Sequence, residues 1–556
     1  MKPRIRPVIG LLAATAPLLA LTVTPAVAQP ATAGAAHVSA ALRGDVLPAV
    51  GHSVRTGQVA TDQRITVAVS LAQRDTAGLD AFLARVTDPQ SPDYQHYLTV
   101  DQFAQRFGAA PETVSKVSDY LRSQGLQVGA VTANRLTVQA TGTAAQVQKA
   151  FGTSLATYRD GHDGRTFFAN TSAPVLPADI ASVVTDVSGL NNYAKYTHFS
   201  SRAATPDAAS PDAAAKAPTG LNPTTARAAY NLTSSINAGY TGKGSTVALL
   251  EFSAFQQSNI ATYDNYFKLK PSTPTVVNAG GGTSDLSGQD EVELDIEVVQ
   301  ALAPGATIKV YEAPNSDAGE TAVYAQLVSD DVPVVSISWG TYEAGETPSN
   351  RVAVDADLKE AAAQGQSVYA ASGDSGSDDA GNGGTSVDFP AADPYVTGTG
   401  GTTLKTGSGG TWSSEAAWSG SGGGVSSYFD TPSYQSPVNH GTYRTVPDVA
   451  AAADPATGWA IYTQGSWAEI GGTSAAAPNW AAFTAVYDSE AKAKGKPSFG
   501  FANSRIYSLA ESSAYNSAFH DVKTGNNGAY KAGTGYDEVT GWGSYNGGNF
   551  LKAELG

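Results

Sequence analysis

From Leu221 onward, apolar runs of strand length alternate with stretches of helical period, and this alternation narrows the possible architectures more than any other feature. Strands are predicted at 245–252, 306–312, 332–338 and 366–372, and helices at 257–268, 289–302, 318–329 and 351–364. A strand that reaches its neighbour through a helix must cross over, so the pattern specifies a parallel α/β sheet with helices on both faces. Such sheets bind ligands beyond the carboxyl ends of their strands. Glu251, Trp339 and Asp374 fall at or just past predicted strand ends. At 556 residues the chain exceeds one core, so at least two domains are expected.

The part before residue 200 has a different texture. Residues 1–28 read as a secretory signal, with Lys2, Arg4 and Arg6, an apolar run from Val8 to Val23, and Ala26-Val27-Ala28 as the cleavage site. Interrupting prolines and the lack of a charged stop argue against a membrane anchor. Residues 29–200 read as an α+β unit. It has an alternating strand at 64–71, a helix at 111–124 closed by Gly125, strands at 126–131 and 135–141, and a helix at 144–151. Residues 201–218 are rich in Ala, Pro and Asp with no apolar period. They read as a protease-accessible linker carrying the maturation site, and 219–556 as the second domain.

Within that second domain, Ile470-Gly471-Gly472-Thr473-Ser474-Ala475-Ala476-Ala477-Pro478 places a hydroxyl between a glycine turn and an Ala-rich run ending at proline. Either Thr473 or Ser474 caps a helix, or Ser474 stands as a nucleophile where free N–H groups favour an oxyanion. A nucleophilic serine needs a base. Of seven histidines only His440 and His520 lie beyond residue 200. His440-Gly441-Thr442 is followed by Pro447 rather than by a helix, which argues against it as the base. Carboxylates are the alternative. In the segment 289–302, Leu294, Val298, Ala301 and Leu302 recur at helical spacing, with Glu291 and Asp295 at i and i+4, and Glu293 and Glu297 likewise. This is either a solvated acidic face or a close pair that shares protons.

Three stretches together resemble the sedolisin family of serine-carboxyl peptidases, most of all its kumamolisin branch. They are Glu291-x-x-x-Asp295, Ser-Gly-Asp-Ser-Gly at 372–376, and the Gly-Thr-Ser-Ala-x-x-Pro-containing run at 472–478. The resemblance implies a subtilisin-like fold with Ser474 as nucleophile, Glu291 as general base and acid, Asp295 as its partner and Asp374 as oxyanion donor. Glu251 and Trp339 match residues that extend the network around Glu291. Residues 29–200, through Tyr94-Gln95-His96-Tyr97-Leu98-Thr99 and Gln102 to Phe107, are similar to the family's activation propeptide, which implies an intramolecular inhibitor. The resemblance also implies one structural Ca²⁺ held by Asp521 and Asp537 carboxylates and by carbonyls of Val522, Gly533 and Gly535. Hard oxygen ligands of that kind suit Ca²⁺.

Composition sets the remaining limits. With no cysteine there is no disulfide framework and no thiolate chemistry. Fifty acidic against 34 basic residues argue against nucleic acid or an anionic membrane as partner. The reading is thus a secreted, extracellular, monomeric, acid-acting peptidase for protein or peptide substrates, made as a self-processing zymogen and cutting either internally or as a tripeptidyl-peptidase. The alternatives are a catalytically idle calcium-binding relative and a histidine-dependent subtilisin. Five histidines, His37, His52, His96, His162 and His198, precede residue 200. Their protonation would be one way to loosen the propeptide in acid, with the catalytic carboxylates as the rival trigger.

Overall fold

A computed structural model describes residues 39–161, 164–203 and 220–556. The signal sequence at 1–28, most of the linker, His37 and His162 lie outside the described residues. Among the described residues no helix is long and apolar enough to cross a membrane.

The central sheet has eight strands: β1 (Thr246–Glu251), β2 (Thr275–Asn278), β3 (Thr307–Glu312), β4 (Val334–Ile337), β5 (Ser367–Ala371), β6 (Thr397–Thr406), β7 (Trp412–Ala417) and β8 (Val449–Ala452). They run in the order 2-3-1-4-5-6-7, with β8 also on β6, and every pairing is parallel except β6–β7. The four predicted strands and four predicted helices are all present, helices included as Gln257–Phe267, Gln289–Leu302, Asp317–Ser329 and Pro348–Gln364. From β1 the chain goes to the edge strand β2, returns to β3 beside β1, and then crosses to β4 on the other side of β1, from which it winds outward. The crevice at the carboxyl ends of β1 and β4 is therefore the switch point where such sheets place ligands.

Two helices lie on one face of this sheet and meet in its largest core. The serine helix Thr473–Ala493 is buried from Thr473 to Tyr487, and Ala475, Ala477, Ala481 and Ala485 keep it close to the acidic helix Gln289–Leu302. The acidic helix departs from the amphipathic expectation. It is buried on every side from Glu291 to Leu302, so none of its carboxylates forms a solvated face. Glu293 is held by the Gln256 N–H at 3.0 Å and Asn259 Nδ2 at 2.9 Å, and Glu297 by the Tyr462 N–H at 2.9 Å. That second acidic pair therefore fastens neighbouring loops and strands instead of pointing outward.

The N-terminal unit is a four-stranded antiparallel sheet, Gln127–Val131, Thr137–Thr143, Arg64–Leu71 and Val184–Ser188 in spatial order, backed by Pro111–Ser123 and Ala144–Ala150. Val67, Val69, Val138, Val147 and Leu121 form its own core. It meets the second domain through an apolar cluster, in which Leu79, Phe82 and Phe103 pack with Ala362, Ala363 and Phe501, and through polar contacts. Asn134 Nδ2 donates to Glu360 at 2.7 Å, the Tyr196 hydroxyl to Glu320 at 2.6 Å, and Asn191 to Asp317 at 2.8 Å.

Candidate active site

The floor of the switch-point crevice is made of carboxyl groups. Glu251 closes β1, and Ser338 and Trp339 follow β4 directly. Trp339 Nε1 donates to Glu251 Oε2 at 2.8 Å, and Ser338 Oγ donates to Asp295 Oδ2 at 2.8 Å. Glu251, Glu291 and Asp295 are all fully buried. Burial, and then the charges of their neighbours, pushes Glu251 and Asp295 well above the usual carboxyl range.

Ser474 enters from above at the second position of its helix. The helix passes through Pro478, where the run of small residues ends, and continues to Ala493. Proline lacks the N–H that would reach the carbonyl four residues back, which is that of Ser474. Ser338 Oγ, which donates its one proton to Asp295, lies 3.3 Å from this carbonyl. One serine, missed in the sequence, thus sits between the Ser474 turn and the carboxyl cluster. The Ser474 hydroxyl lies 3.4 Å from the Ser338 carbonyl and accepts the Phe199 N–H at 3.0 Å. It is not hydrogen-bonded to Glu291 in this arrangement.

Asp374, three residues past β5, faces the same turn. Its Oδ1 accepts the Thr473 N–H at 2.8 Å and lies 2.9 Å from the Thr473 hydroxyl. Burial, with Glu291 adding to it, raises its pKa to about 8. Oδ2 has no hydrogen bond. Gly472, at φ 116°, leaves the space in front of it open; a Cβ there would lie 2.6 Å from Asp374 Oδ2 and 2.0 Å from the Phe199 carbonyl oxygen. The arrangement therefore offers a carbonyl oxygen one backbone N–H, from Ser474, beside one protonated carboxyl.

A strand from the N-terminal unit already occupies the crevice. Thr197 and His198 pair antiparallel with Gly340 and Trp339, and Ser201 and Arg202 pair antiparallel with Gly471 and Ile470. His198 packs edge-on against Trp339, ring centroids 5.1 Å apart, with its Nδ1 3.1 Å from Glu291 Oε2. Burial alone would lower the His198 pKa, but Glu291, with Asp290 and Asp374, outweighs it and the net shift is upward. His198 and Phe199 carry no local motif; their one sequence signal is that they end the N-terminal unit just before the linker. The two histidines beyond residue 200 stay away: His440 is exposed on the loop before Tyr443–Val446, and His520 stacks on Trp412 at 4.2 Å, buried enough that its pKa falls to about 4.

Glu251, Glu291, Asp295, Trp339, Asp374 and Ser474 thus come together, while the candidate calcium residues form a separate group in the C-terminal loops. Asp537 accepts the Gly533 N–H at 2.9 Å, and Asp521 the Gly535 N–H at 3.1 Å, so both carboxylates converge on one glycine turn. Asp521 Oδ2 has no hydrogen bond and is met by the Lys523 ammonium at 3.1 Å, on a side chain that is half exposed. Among the described residues no group of three or more His, Asp or Glu is placed to hold a metal, so any ion here would rely on carbonyls as well.

Residues 51–193 match the pro-kumamolisin activation domain, and residues 277–543 match the subtilase family. The chain is 35% identical to kumamolisin from Bacillus sp. (strain MN-32) over 90% of its own length and 94% of that protein. It is 33% identical to sedolisin from Pseudomonas sp. (strain 101) over 88% of its length and 86% of that protein. Among solved structures, Pseudomonas sedolisin (serine-carboxyl proteinase) complexed with pseudo-iodotyrostatin aligns with a TM-score of 0.55 at 32% identity. It covers 61% of this chain and 98% of that one.

Proposed function

The chain belongs to the sedolisin family of serine-carboxyl peptidases, in its kumamolisin-like branch with the activation propeptide, and from that premise we propose that it is a secreted, acid-acting peptidase made as a self-processing zymogen. Ser474 is the nucleophile and Glu291 takes its proton and returns it to the leaving amine. Asp295 and Glu251 steady Glu291 from behind, the latter through Trp339. Asp374, protonated, joins the Ser474 N–H in holding the oxyanion. The observation that carries the reading is the buried carboxyl cluster beside the Ser474 turn, with Ser338 between them. No histidine of the second domain lies in it, which disfavours a histidine-dependent mechanism. The assembled donors around an open carbonyl position disfavour an idle relative.

The N-terminal unit acts as inhibitor by lying in the crevice, with the Phe199 N–H on the Ser474 hydroxyl and His198 on Glu291. One Ca²⁺ is proposed in the C-terminal turn, held by Asp521 and Asp537 with carbonyls of Val522, Gly533 and Gly535. Such an ion would fasten the loop and supply no chemistry. The mature enzyme is proposed to be a monomer.

The test is cleavage of a denatured protein at about pH 4 and about pH 8, with Ser474→Ala and Glu291→Gln alongside. Loss of nucleophile or base costs several powers of ten and leaves both variants unprocessed. Normal maturation of purified Glu291→Gln with no other protease present would remove Glu291 from the mechanism.

A further inference from the structure

We propose that the first bond this zymogen cuts is its own Phe199–Ser200 peptide bond. The inference rests on the assignment of Ser474 as nucleophile and adds the identity of the processing site.

The segment from Thr197 to Ala203 changes partner at one point. Upstream, it is antiparallel to Trp339–Tyr342, and the Phe199 N–H donates to the Ser338 carbonyl at 3.2 Å. Downstream, it is antiparallel to Ser466–Gly471, and the Ala203 N–H donates to the Glu469 carbonyl at 2.8 Å. The change falls between Phe199 and Ser200, over Ser474. Phe199 meets Ser474 through both ends of its backbone: its N–H reaches Oγ at 3.0 Å, and its carbonyl accepts the Ser474 N–H at 3.0 Å. The carbonyl oxygen lies over Gly472 on the side where Asp374 Oδ2 is unpartnered. The carbonyl carbon of Phe199 is therefore the electrophile presented to the hydroxyl.

Register fixes which bond this is. Successive carbonyls of an extended strand point to opposite sides, so a slip by one residue would turn the His198 or Ser200 carbonyl away from the Ser474 N–H. The two flanking pairings oppose such a slip. Phe199 is 8% exposed, so its side chain is fully seated in this register.

The step balances without a co-reactant other than water. Ser474 Oγ bonds to the Phe199 carbonyl carbon, the bond from that carbon to the Ser200 nitrogen breaks, and the hydroxyl proton passes through Glu291 to the departing amine. Water then displaces Oγ, leaving the Phe199 carboxylate and restoring the serine. The processing bond lies upstream of the Ala- and Pro-rich segment to which composition points, and trimming there would follow.

Purified full-length zymogen is acidified and followed by intact mass and terminal sequencing, with cleavage of a denatured protein measured in parallel. The expected result is a released propeptide ending at Phe199 and, first in time, a catalytic chain beginning Ser200-Ser201-Arg202. Ser200→Pro should slow appearance of that propeptide end by at least ~100-fold, the scale set by a spoiled attack geometry. A synthetic peptide spanning Lys195 to Ala203, given to mature enzyme, should be cut between Phe199 and Ser200 and needs no variant to fold. A propeptide ending elsewhere, from an enzyme that does cut the denatured protein, overturns the inference and leaves the proposed function intact. A chain that cuts neither itself nor the denatured protein overturns both.

Discussion

Asp374→Asn and Asp374→Ala separate two jobs done by one carboxyl. Oδ1 is pinned by the Thr473 N–H at 2.8 Å with the Thr473 hydroxyl at 2.9 Å, and Oδ2 is free beside the site of the Phe199 carbonyl oxygen. Asparagine keeps the pinned oxygen and puts an amide N–H where Oδ2 was; alanine removes both. Loss of one preorganised oxyanion donor costs about 10²–10³ in kcat, or about 2.7–4 kcal/mol, so alanine should fall in that range with a smaller change in KM. Asparagine should stay within about tenfold of wild type in acid, because it still donates. The pH dependence then parts the two enzymes. Burial raises the Asp374 pKa to about 8, so the wild-type carboxyl donates below that pH and above it confronts the oxyanion as an anion. As pH rises through this value, wild type should lose about tenfold per pH unit relative to asparagine, whose amide does not titrate. The assay is single-turnover acylation of a chromogenic peptide by mature enzyme from about pH 4 to about pH 9. A wild-type to asparagine ratio that stays flat across that span would refute the donor role, as would an alanine variant within tenfold of wild type at acid pH.

Ser338→Ala removes the 2.8 Å bond to Asp295 and the hydroxyl beside the Ser474 carbonyl; kcat should drop by about tenfold or more with KM held, and Ser338→Thr should recover part of it. His198→Gln tests the direction of any histidine effect on the propeptide. A His198 pKa raised by Glu291, Asp290 and Asp374 means that the docked state binds the proton, so docking is favoured below the free pKa and this contribution is lost as pH rises through the docked one. In a Ser474→Ala background, His198→Gln should therefore speed propeptide dissociation most in mild acid; faster release of the unsubstituted propeptide on protonating His198 would reverse the argument. Calcium should raise the melting temperature of the wild type and not of Asp521→Ala, with kcat little changed in either; a wild-type melting temperature unmoved by calcium or chelator would remove the site. The melting temperature should also be highest in mild acid and decline toward pH 8, as followed by calorimetry across that range.

The order of strands and helices was legible because short, mostly apolar runs alternate with longer stretches of helix-favouring residues; β1, predicted at 245–252, spans Thr246–Glu251. Ser474, Glu291, Asp295 and Asp374 were legible through short motifs that hold their spacing. The environment of the acidic helix was not. A periodicity of Leu294, Val298 and Ala301 defines one apolar face and says nothing of what covers the others. Glu297 is buried because a strand more than a hundred and sixty residues later brings it the Tyr462 N–H. The surroundings of Pro478 were not legible either: the Ser474 carbonyl that its missing N–H leaves lies 3.3 Å from Ser338 Oγ, at a distant strand end. His198 and Phe199 gain their meaning only from the pairings of His198 with Trp339 and of Ser201 with Gly471, and no local rule carries such a long-range register.

The working pH proposed for this enzyme follows from that burial. An ionised carboxylate in a dry site is costly unless a cation or several N–H groups meet it, and a protonated one is not. Asp317 is 3% exposed and its pKa rises from 3.8 to about 6, mainly through burial. At 1.36 kcal/mol per pKa unit this corresponds to about 3 kcal/mol. Asp374, Asp379 and Glu312 shift upward for the same first reason, to about 8, about 7 and about 7. In each case the folded state holds its proton where the unfolded chain has lost it. Folding therefore takes up protons between the two pKa values, and stability falls as pH rises through that window. The groups are many and of one sign, so their effects add in direction. The same burial that would let Asp374 donate to an oxyanion thus sets the fold against alkaline pH, so the proposed chemistry and the stability draw on one cause.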